Sequence, residues 1–480
     1  MWFRYILLLT LLASASLGSG WPSFRGENGS GVAASTGLPV DLGPSKNLVW
    51  QTPLPPGTSS PVLSGDKIFL TALDGKQLLT ICVRLSDGKI LWRQPIEQAR
   101  MEARHNLNHA ASATPVTDGK NVFAFFSDFG LVSYGPDGNR RWTHPLGPFH
   151  NLHGMGTSPI LAGNALILVC DQDTGSFILA VHKDTGKMLW RAERPEIVHG
   201  FSTPTLFEAP SGEQQLIIPT SYMLVSYSVQ NGKELWRVRG LTWQLKTTAV
   251  VSGGVVYATG WAPGADPGQA NPVPAFEEVL AEIDTNKDGL LAPSEITPKY
   301  KHSGSWQAID LDHDGFLNAR DWSFFRARRS SSNVTMAVRP GNAKGDLTQT
   351  HVLWRNERFV PQVSSPLLYR DVLYTIKDGG ILTSLNPATG ATYKTARVPG
   401  ALDNYYSSPV AADGKLYIAS ETGKVSVIRA QSDWEVLAVN DFDEAIYATP
   451  AIEGNRIYLR TARALYCFAS VAQAPSEEKR

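Results

Sequence analysis

Thr157-Ser158-Pro159-Ile160 opens a unit of the chain, and Ala180-Val181-His182-Lys183-Asp184-Thr185-Gly186-Lys187-Met188-Leu189-Trp190 closes it. Between them lie a turn at Ala162-Gly163-Asn164 and an apolar run at Leu166-Ile167-Leu168-Val169. Short apolar runs separated by glycine turns read as antiparallel strands, because Asp-Gly, Asn-Gly and Thr-Gly steps supply the positive φ that tight hairpins need. The opening signature recurs as Ser59-Ser60-Pro61-Val62, Ala113-Thr114-Pro115-Val116, Ser202-Thr203-Pro204-Thr205, Thr247-Thr248-Ala249-Val250, Ser364-Ser365-Pro366-Leu367, Ser407-Ser408-Pro409-Val410 and Ala448-Thr449-Pro450-Ala451. Eight copies result, spaced by about 41 to 45 residues except for a longer first unit and one long gap after Ala249. A period of that length, filled by four short strands, is a propeller blade. The expected fold is therefore all-β: an eight-bladed β-propeller.

Composition agrees. The chain has 480 residues, with 44 Lys+Arg balanced by 44 Asp+Glu, so bulk charge does not favour a nucleic-acid surface. Only 18% of residues are charged, while 42 Gly, 31 Pro and 13 Trp mark a turn-rich folded chain. Cys82, Cys170 and Cys467 lie far apart in apolar runs and cannot form a disulfide framework.

Trp92, Trp142, Trp190 and Trp236 each follow the closing Gly by four residues, and are expected to wedge between neighbouring blades. The pattern loosens in the sixth unit, where Lys394 replaces Trp, and in the seventh, where Trp434 is out of register. The eighth unit has residues for only three strands. Asn47-Leu48-Val49-Trp50, before the first signature, is expected to supply the fourth and close the ring, removing two open sheet edges.

These repeats resemble the quinoprotein-like (PQQ-binding-like) eight-bladed propeller family, whose blades end in Ala-x-Asp-x-x-Thr-Gly-x-x-x-Trp; Ala180 to Trp190 keeps that pattern with His182 in place of the Asp. The resemblance runs from about Trp21 to Ser470, and Trp21-Pro22-Ser23-Phe24-Arg25-Gly26-Glu27-Asn28-Gly29 is similar to the start of secreted bacterial members. The sequence also resembles the propeller component of the outer-membrane β-barrel assembly machinery, which is a scaffold and is normally lipid-anchored through a cysteine that this chain lacks.

The long gap holds two twelve-residue loops. Asp284, Asn286, Asp288 and Glu295, with the Leu290 carbonyl, match an EF-hand loop that has Gly289 at its turn; Asp310, Asp312, Asp314 and Asp321, with the Phe316 carbonyl, repeat it around Gly315. Helices are expected over 274–283 and from Asp321 to Arg326. One or two calcium ions are expected, the second site weaker because Asp321 is shorter than Glu. A structural clip is favoured over a sensor, since weak sites suit a steady extracellular calcium level.

Six residues before the signature Pro, or before Ala249 in the fifth unit, five of the eight units carry His109, His153, Trp243, Asp403 and Glu444, with His199 beside the equivalent Val198. They are expected at the channel mouth, as a polar rim or as a site for a metal or a proton. In family quinoenzymes, the resemblance implies a quinone between a Trp and a disulfide of adjacent cysteines, a channel calcium and an Asp base. Trp243 and Asp403 would take such roles, but the cysteine pair is absent, so PQQ is not expected.

Residues 1–20 read as a signal peptide, with Arg4, an apolar run from Tyr5 to Ala13, and cleavage after Ala15 or Gly20. The domain reading is a propeller over 21–264 and 331–472, an EF-hand pair inserted in blade 5 over 265–330, and a disordered tail over 473–480. The functional expectation is an exported, periplasmic or extracellular, calcium-binding scaffold without catalysis. It would meet an unidentified protein partner through its faces and loops, such as 98–108 and 263–274, and would bind no nucleic acid and hold no membrane span after cleavage. The alternative is a PQQ-dependent dehydrogenase with its site in the channel.

Overall fold

The computed structural model describes residues 20–301 and 305–470, so all of the signal expected over 1–20 except Gly20, and the tail expected over 473–480, lie outside the described residues. Among the described residues there are eight sheets, antiparallel apart from one added outer strand, and the innermost strand of each begins on the residue after the signature Pro or Ala, at Val62, Val116, Ile160, Thr205, Val250, Leu367, Val410 and Ala451. Blade 3 shows the common plan: Ile160–Ala162, Ala165–Cys170, Phe177–His182 and Met188–Glu193 follow in spatial order from the channel outward. The two middle strands are buried on both faces, which is why they read as continuous apolar runs instead of alternating ones.

The ring closes as expected. Leu48–Pro53 completes the eighth blade beside Ala464–Ala469, with Leu48 opposite Phe468 and Pro53 opposite Ala464. A bulge precedes the Trp position in the outer strand of every blade, as between Ala180 and Val181 opposite Trp190. Bulges strengthen twist and re-aim a side chain. Here they turn Trp50, Trp92, Trp142, Trp190 and Trp354 onto the next blade. A Cβ on Gly186 would meet the Trp142 ring at 2.7 Å, and one on Gly232 would meet Trp190 at 2.6 Å. The indole N–H then donates to a carbonyl of the same turn, Trp142 to Lys183 at 2.8 Å and Trp190 to Val229 at 3.0 Å. The closing Gly of one unit is thus the seat for the Trp of the unit before it.

The irregular units have their own solutions. Lys394 reaches the Trp434 carbonyl at 2.7 Å and lies 4.6 Å from that ring's centroid, so a cation replaces the missing indole. Trp236 turns inward and donates to Gln215 Oε1 at 2.8 Å, while Gly345–Asp346 adds a fifth, parallel strand outside it.

The insertion leaves blade 5 after Val255–Gly260 and returns at Val334–Val338. It holds helices Phe276–Ile283 and Ala319–Ser330, the first shorter and the second longer than their sequence signals. Its own core includes Val279, Ile283, Leu291, Leu317, Trp322 and Phe325. Leu291 and Leu317 exchange backbone hydrogen bonds of 3.0 and 2.9 Å, joining the two loops back to back.

Candidate functional site

A ring of hydroxyls lies around the channel. Except at Thr203, whose counterpart Thr248 Oγ1 has no partner among the described residues, the residue before each signature Pro or Ala donates its backbone N–H to the equivalent hydroxyl of the next blade, as Ser60 does to Thr114, Thr114 to Ser158, Ser365 to Ser408 and Ser408 to Thr449, each at 3.0 Å. Above this ring sits a cavity of about 520 Å³. Its wall is the column three residues before the Pro or Ala: Thr58, Ser112, Gly156, Phe201, Lys246, Val363, Tyr406 and Tyr447. Residues at offsets one and three share a side, as alternation along an extended chain requires.

Of the expected offset-six residues, His109, Trp243, Asp403 and Glu444 do not line the cavity. Asp403 accepts from Ser420 at 2.8 Å, and Glu444 accepts from Thr461 at 2.6 Å. His153 does line it, and so does His105, which sequence reasoning passed over because it sits in the long loop before Pro115. That loop is held by Arg104, whose Nη2 reaches both oxygens of the buried Asp128 at 2.5 and 2.7 Å.

His105, His153 and His199 form a file, with ring centroids 5.7 and 5.9 Å apart. Burial, and then His199, His105 and Lys246, push His153 down to about 4, so it is neutral near pH 7. Burial lowers Lys246 to about 8 against the pull of Asp378. His199 is 2% exposed and held on three sides. Its Nδ1 meets Asp173 Oδ1, its Nε2 lies 3.0 Å from Gln244 Nε2, and its ring meets Trp243 edge-on at 4.8 Å. Gln244 takes φ +58°, a left-handed conformation costly for a residue with a Cβ.

From the other side the channel is closed by the N-terminal segment, whose role the sequence reading did not find. Trp21 pairs with Leu63 of blade 1, Pro22 accepts from Thr117 of blade 2, Asn28 bonds both backbone groups of Leu206 in blade 4, and Val32 bridges to Ala411 of blade 7. Phe24 forms the cavity floor, and the fully buried Arg25 donates to the Pro366 carbonyl of blade 6 at 2.7 Å. Gly26, at φ +73°, lets the chain turn under the Trp21 ring, which a Cβ would meet at 2.8 Å.

In the inserted loops, positions four and six have matching backbone, with Lys287 and His313 at φ 61° and 59° and Gly289 and Gly315 at φ 80° and 93°. The terminal carboxylates turn toward backbone: Glu295 accepts from Thr285 and Ala292, both at 2.9 Å, and Asp321 from Leu311 and Asn318, both at 3.1 Å. Among the described residues, the acids that converge as one ligand-like group are Asp310, Asp312 and Asp314, with oxygens within 4.8 Å of one another. Asp310 is 2% exposed, and its Oδ1 has no hydrogen-bond partner among the described residues. Burial raises Asp310, with Asp314 and Asp312 adding to it, and pushes Asp321 up to about 6. Crowded, partly desolvated carboxylates of this kind suit a hard cation. Asp284, Asn286, Asp288 and Glu295 of the first loop form no such convergent group.

Comparison with known proteins places this arrangement. The sequence profile described as outer membrane protein assembly factor BamB matches residues 32–151 and 343–474. The outer membrane protein assembly factor BamB of Shewanella oneidensis is 21% identical over 270 residues, covering 52% of this chain and 66% of the relative, just under two thirds of its length. Among solved structures, BamB from Moraxella catarrhalis is similar with a TM-score of 0.50 at 11% identity, over 83% of this chain and 96% of that one. A europium-containing methanol dehydrogenase is similar with a TM-score of 0.52 at 11% identity, over 94% and 98%. The structural likenesses speak to the fold alone. Among the described residues, no helix is long and apolar enough to cross a membrane.

Proposed function

Because the chain belongs to the family described as outer membrane protein assembly factor BamB, we propose that it is an exported, non-catalytic scaffold that binds a protein partner at the mouth face of its propeller. The observation that carries this is a set of exposed apolar side chains on the loops entering the inner strands. Met101 is 82% exposed and Leu402 57%, with Leu107 and Phe359 also open to solvent. Large exposed apolar groups on the loops of one face mark an interaction surface more than a solvated one. A photo-crosslinking residue at Met101 or Leu402 is expected to capture a protein in the cell envelope, whereas one at Tyr393, on an outer strand, is not. Equal labelling at all three would overturn the reading.

The proposal includes calcium in the inserted loops, held by Asp310, Asp312 and Asp314 with the Phe316 carbonyl in the second, and by Asp284, Asn286, Asp288 and the Leu290 carbonyl in the first. Such an ion supplies cross-linking of loop oxygens and no redox chemistry. Titration calorimetry of Asp284→Ala and Asp310→Ala proteins tests it: unchanged binding in both rejects the assignment. Dehydrogenase chemistry is disfavoured because Cys82, Cys170 and Cys467 are separately buried and unpaired, so no cysteine platform for a quinone exists. Reconstitution with PQQ and calcium is expected to give neither a quinone band nor alcohol-dependent dye reduction; observing both would replace the scaffold reading.

A further inference from the structure

The helix that follows the second loop is the part of the insertion that reaches the channel histidines. Asp321 closes the loop and stands in the helix's first turn, where it forms a reciprocal cap with Asn318. Its neighbour Arg320 donates from Nη2 to the Asp173 carbonyl at 2.8 Å. Asp173 is 2% exposed, and its carboxylate binds His199 Nδ1 and accepts from Leu152 at 3.2 Å. Two turns along the helix, the Arg328 guanidinium lies 4.1 Å from the centroid of Trp243, the ring that meets His199 edge-on. Between these points Tyr222 donates to the Phe324 carbonyl at 2.9 Å and stacks on its ring at 6.1 Å. One helix therefore touches two of the three groups that clamp His199, and the third, Gln244, follows Trp243 on the loop with the left-handed residue.

From this geometry we infer that cation binding in the second loop is coupled to the channel mouth through the helix Ala319–Ser330, which sets the positions of Asp173 and Trp243 and, through His199, of His153 on the cavity wall. The coupling rests on the calcium reading above and adds a regulatory role to it. An ion that draws Asp310, Asp312 and Asp314 together tightens the loop against the first turn of the helix. The helix packs on blades 3 to 5 through Arg320, Tyr222 and Arg328, so its order is transmitted to the loops bearing Asp173 and Trp243. Linkage requires the converse as well: whatever immobilises the mouth raises cation affinity by the same factor.

Hydrogen exchange of the full chain, followed by mass spectrometry with and without millimolar calcium, separates the two claims. Slowed exchange over 284–295 and 310–321 reports ion binding. Slowed exchange over 171–175 and 241–246 reports the coupling; coupling free energies of the usual size correspond to roughly 5–150-fold, so a slowing of about fivefold or more is expected there. In R320A/R328A, which alters no proposed ligand, protection of the acidic loops is expected to persist while that of 171–175 and 241–246 is lost. Protection confined to the insertion in the unaltered protein overturns the coupling and leaves the calcium reading intact. Protection of the mouth loops that survives in R320A/R328A also overturns it. No change anywhere, with no calorimetric heat, overturns the calcium reading itself.

Discussion

Thr449 donates its backbone N–H to Ser60 Oγ at 3.0 Å, joining residues 389 positions apart in sequence. This bond closes the hydroxyl ring of the channel at the seam where the outer strand Leu48–Pro53 closes the eighth blade. Arg460 reinforces the same seam, donating to Ser59 Oγ at 2.7 Å and to the Thr71 carbonyl at 2.8 Å from a fully buried position. Inner ring, buried cation and outer strand thus all cross between blade 8 and blade 1.

The seam bond predicts a contrast between two hydroxyls of the ring. Ser60→Ala leaves the buried Thr449 N–H without its acceptor, a loss worth about 1–3 kcal/mol. Thr248 Oγ1 is buried and has no partner among the described residues, so Thr248→Val removes an unpaired polar atom at nearly constant volume and is expected to leave stability unchanged or raised. Urea midpoints of the two variants check this. Equal losses would mean that the ring bonds carry no specific weight.

Blade count and blade edges were legible in the sequence because each blade repeats the same local chemistry: a hydroxyl before Pro, an apolar run, a Gly turn and a Trp. The reason for the Gly–Trp spacing was not legible, since the Trp of one unit seats on the Gly of the next, as Trp142 does on Gly186. The cavity wall is built at offset three, not at offset six, where His153 lines it but His109, Trp243, Asp403 and Glu444 do not. Reading Phe201, Lys246, Tyr406 and Tyr447 as one column would have found the wall. Closure of the channel by Phe24 and Arg25 depends on contacts with blades far along the chain, which no local pattern encodes.

Asp171 and Arg194, which follow two strands of blade 3, form a buried ion pair facing blade 4, with side chains 3% and 0% exposed. Thr220 donates to Asp171 Oδ2 at 3.1 Å, and Arg194 Nε donates to the Tyr227 hydroxyl at 3.0 Å. Arg194→Met strands a carboxylate in the interior and is expected to cost about 3–5 kcal/mol, whereas D171N/R194M removes both charges and costs far less. A double-mutant cycle on denaturant midpoints measures the difference; strictly additive losses would contradict it.

The depressed His153 gives a pH dependence whose sign follows from linkage. Its ordinary value lies near 6.5, and the folded value is about 4. The folded state therefore binds fewer protons than the unfolded state between those limits. The stability contribution is complete above about pH 6.5 and is lost as pH falls toward 4. His153→Gln is expected to flatten the decline of the urea midpoint across that window, and the His153 ring in the intact protein to titrate near the lower limit. A ring titrating at 6 or above would refute the assignment.

Calcium removal should be felt first in the insertion. Its helices of 8 and 12 residues surround a small apolar cluster, and so small a core is marginal without a cross-link. An ion that binds the folded loops and not the unfolded ones adds RT ln(1 + [L]/Kd), about 2.7 kcal/mol at a hundredfold excess over Kd. Chelator is therefore expected to open residues 276–330 to proteolysis while the blades stay resistant, since the strands Val255–Gly260 and Val334–Val338 pair with each other independently of the insertion. Asp310→Ala should reproduce the chelator's effect more fully than Asp284→Ala, because the converging carboxylates belong to the second loop. Limited proteolysis with and without calcium measures this directly, and cleavage rates in the insertion that ignore both the ion and Asp310→Ala would exclude a stabilising cation there.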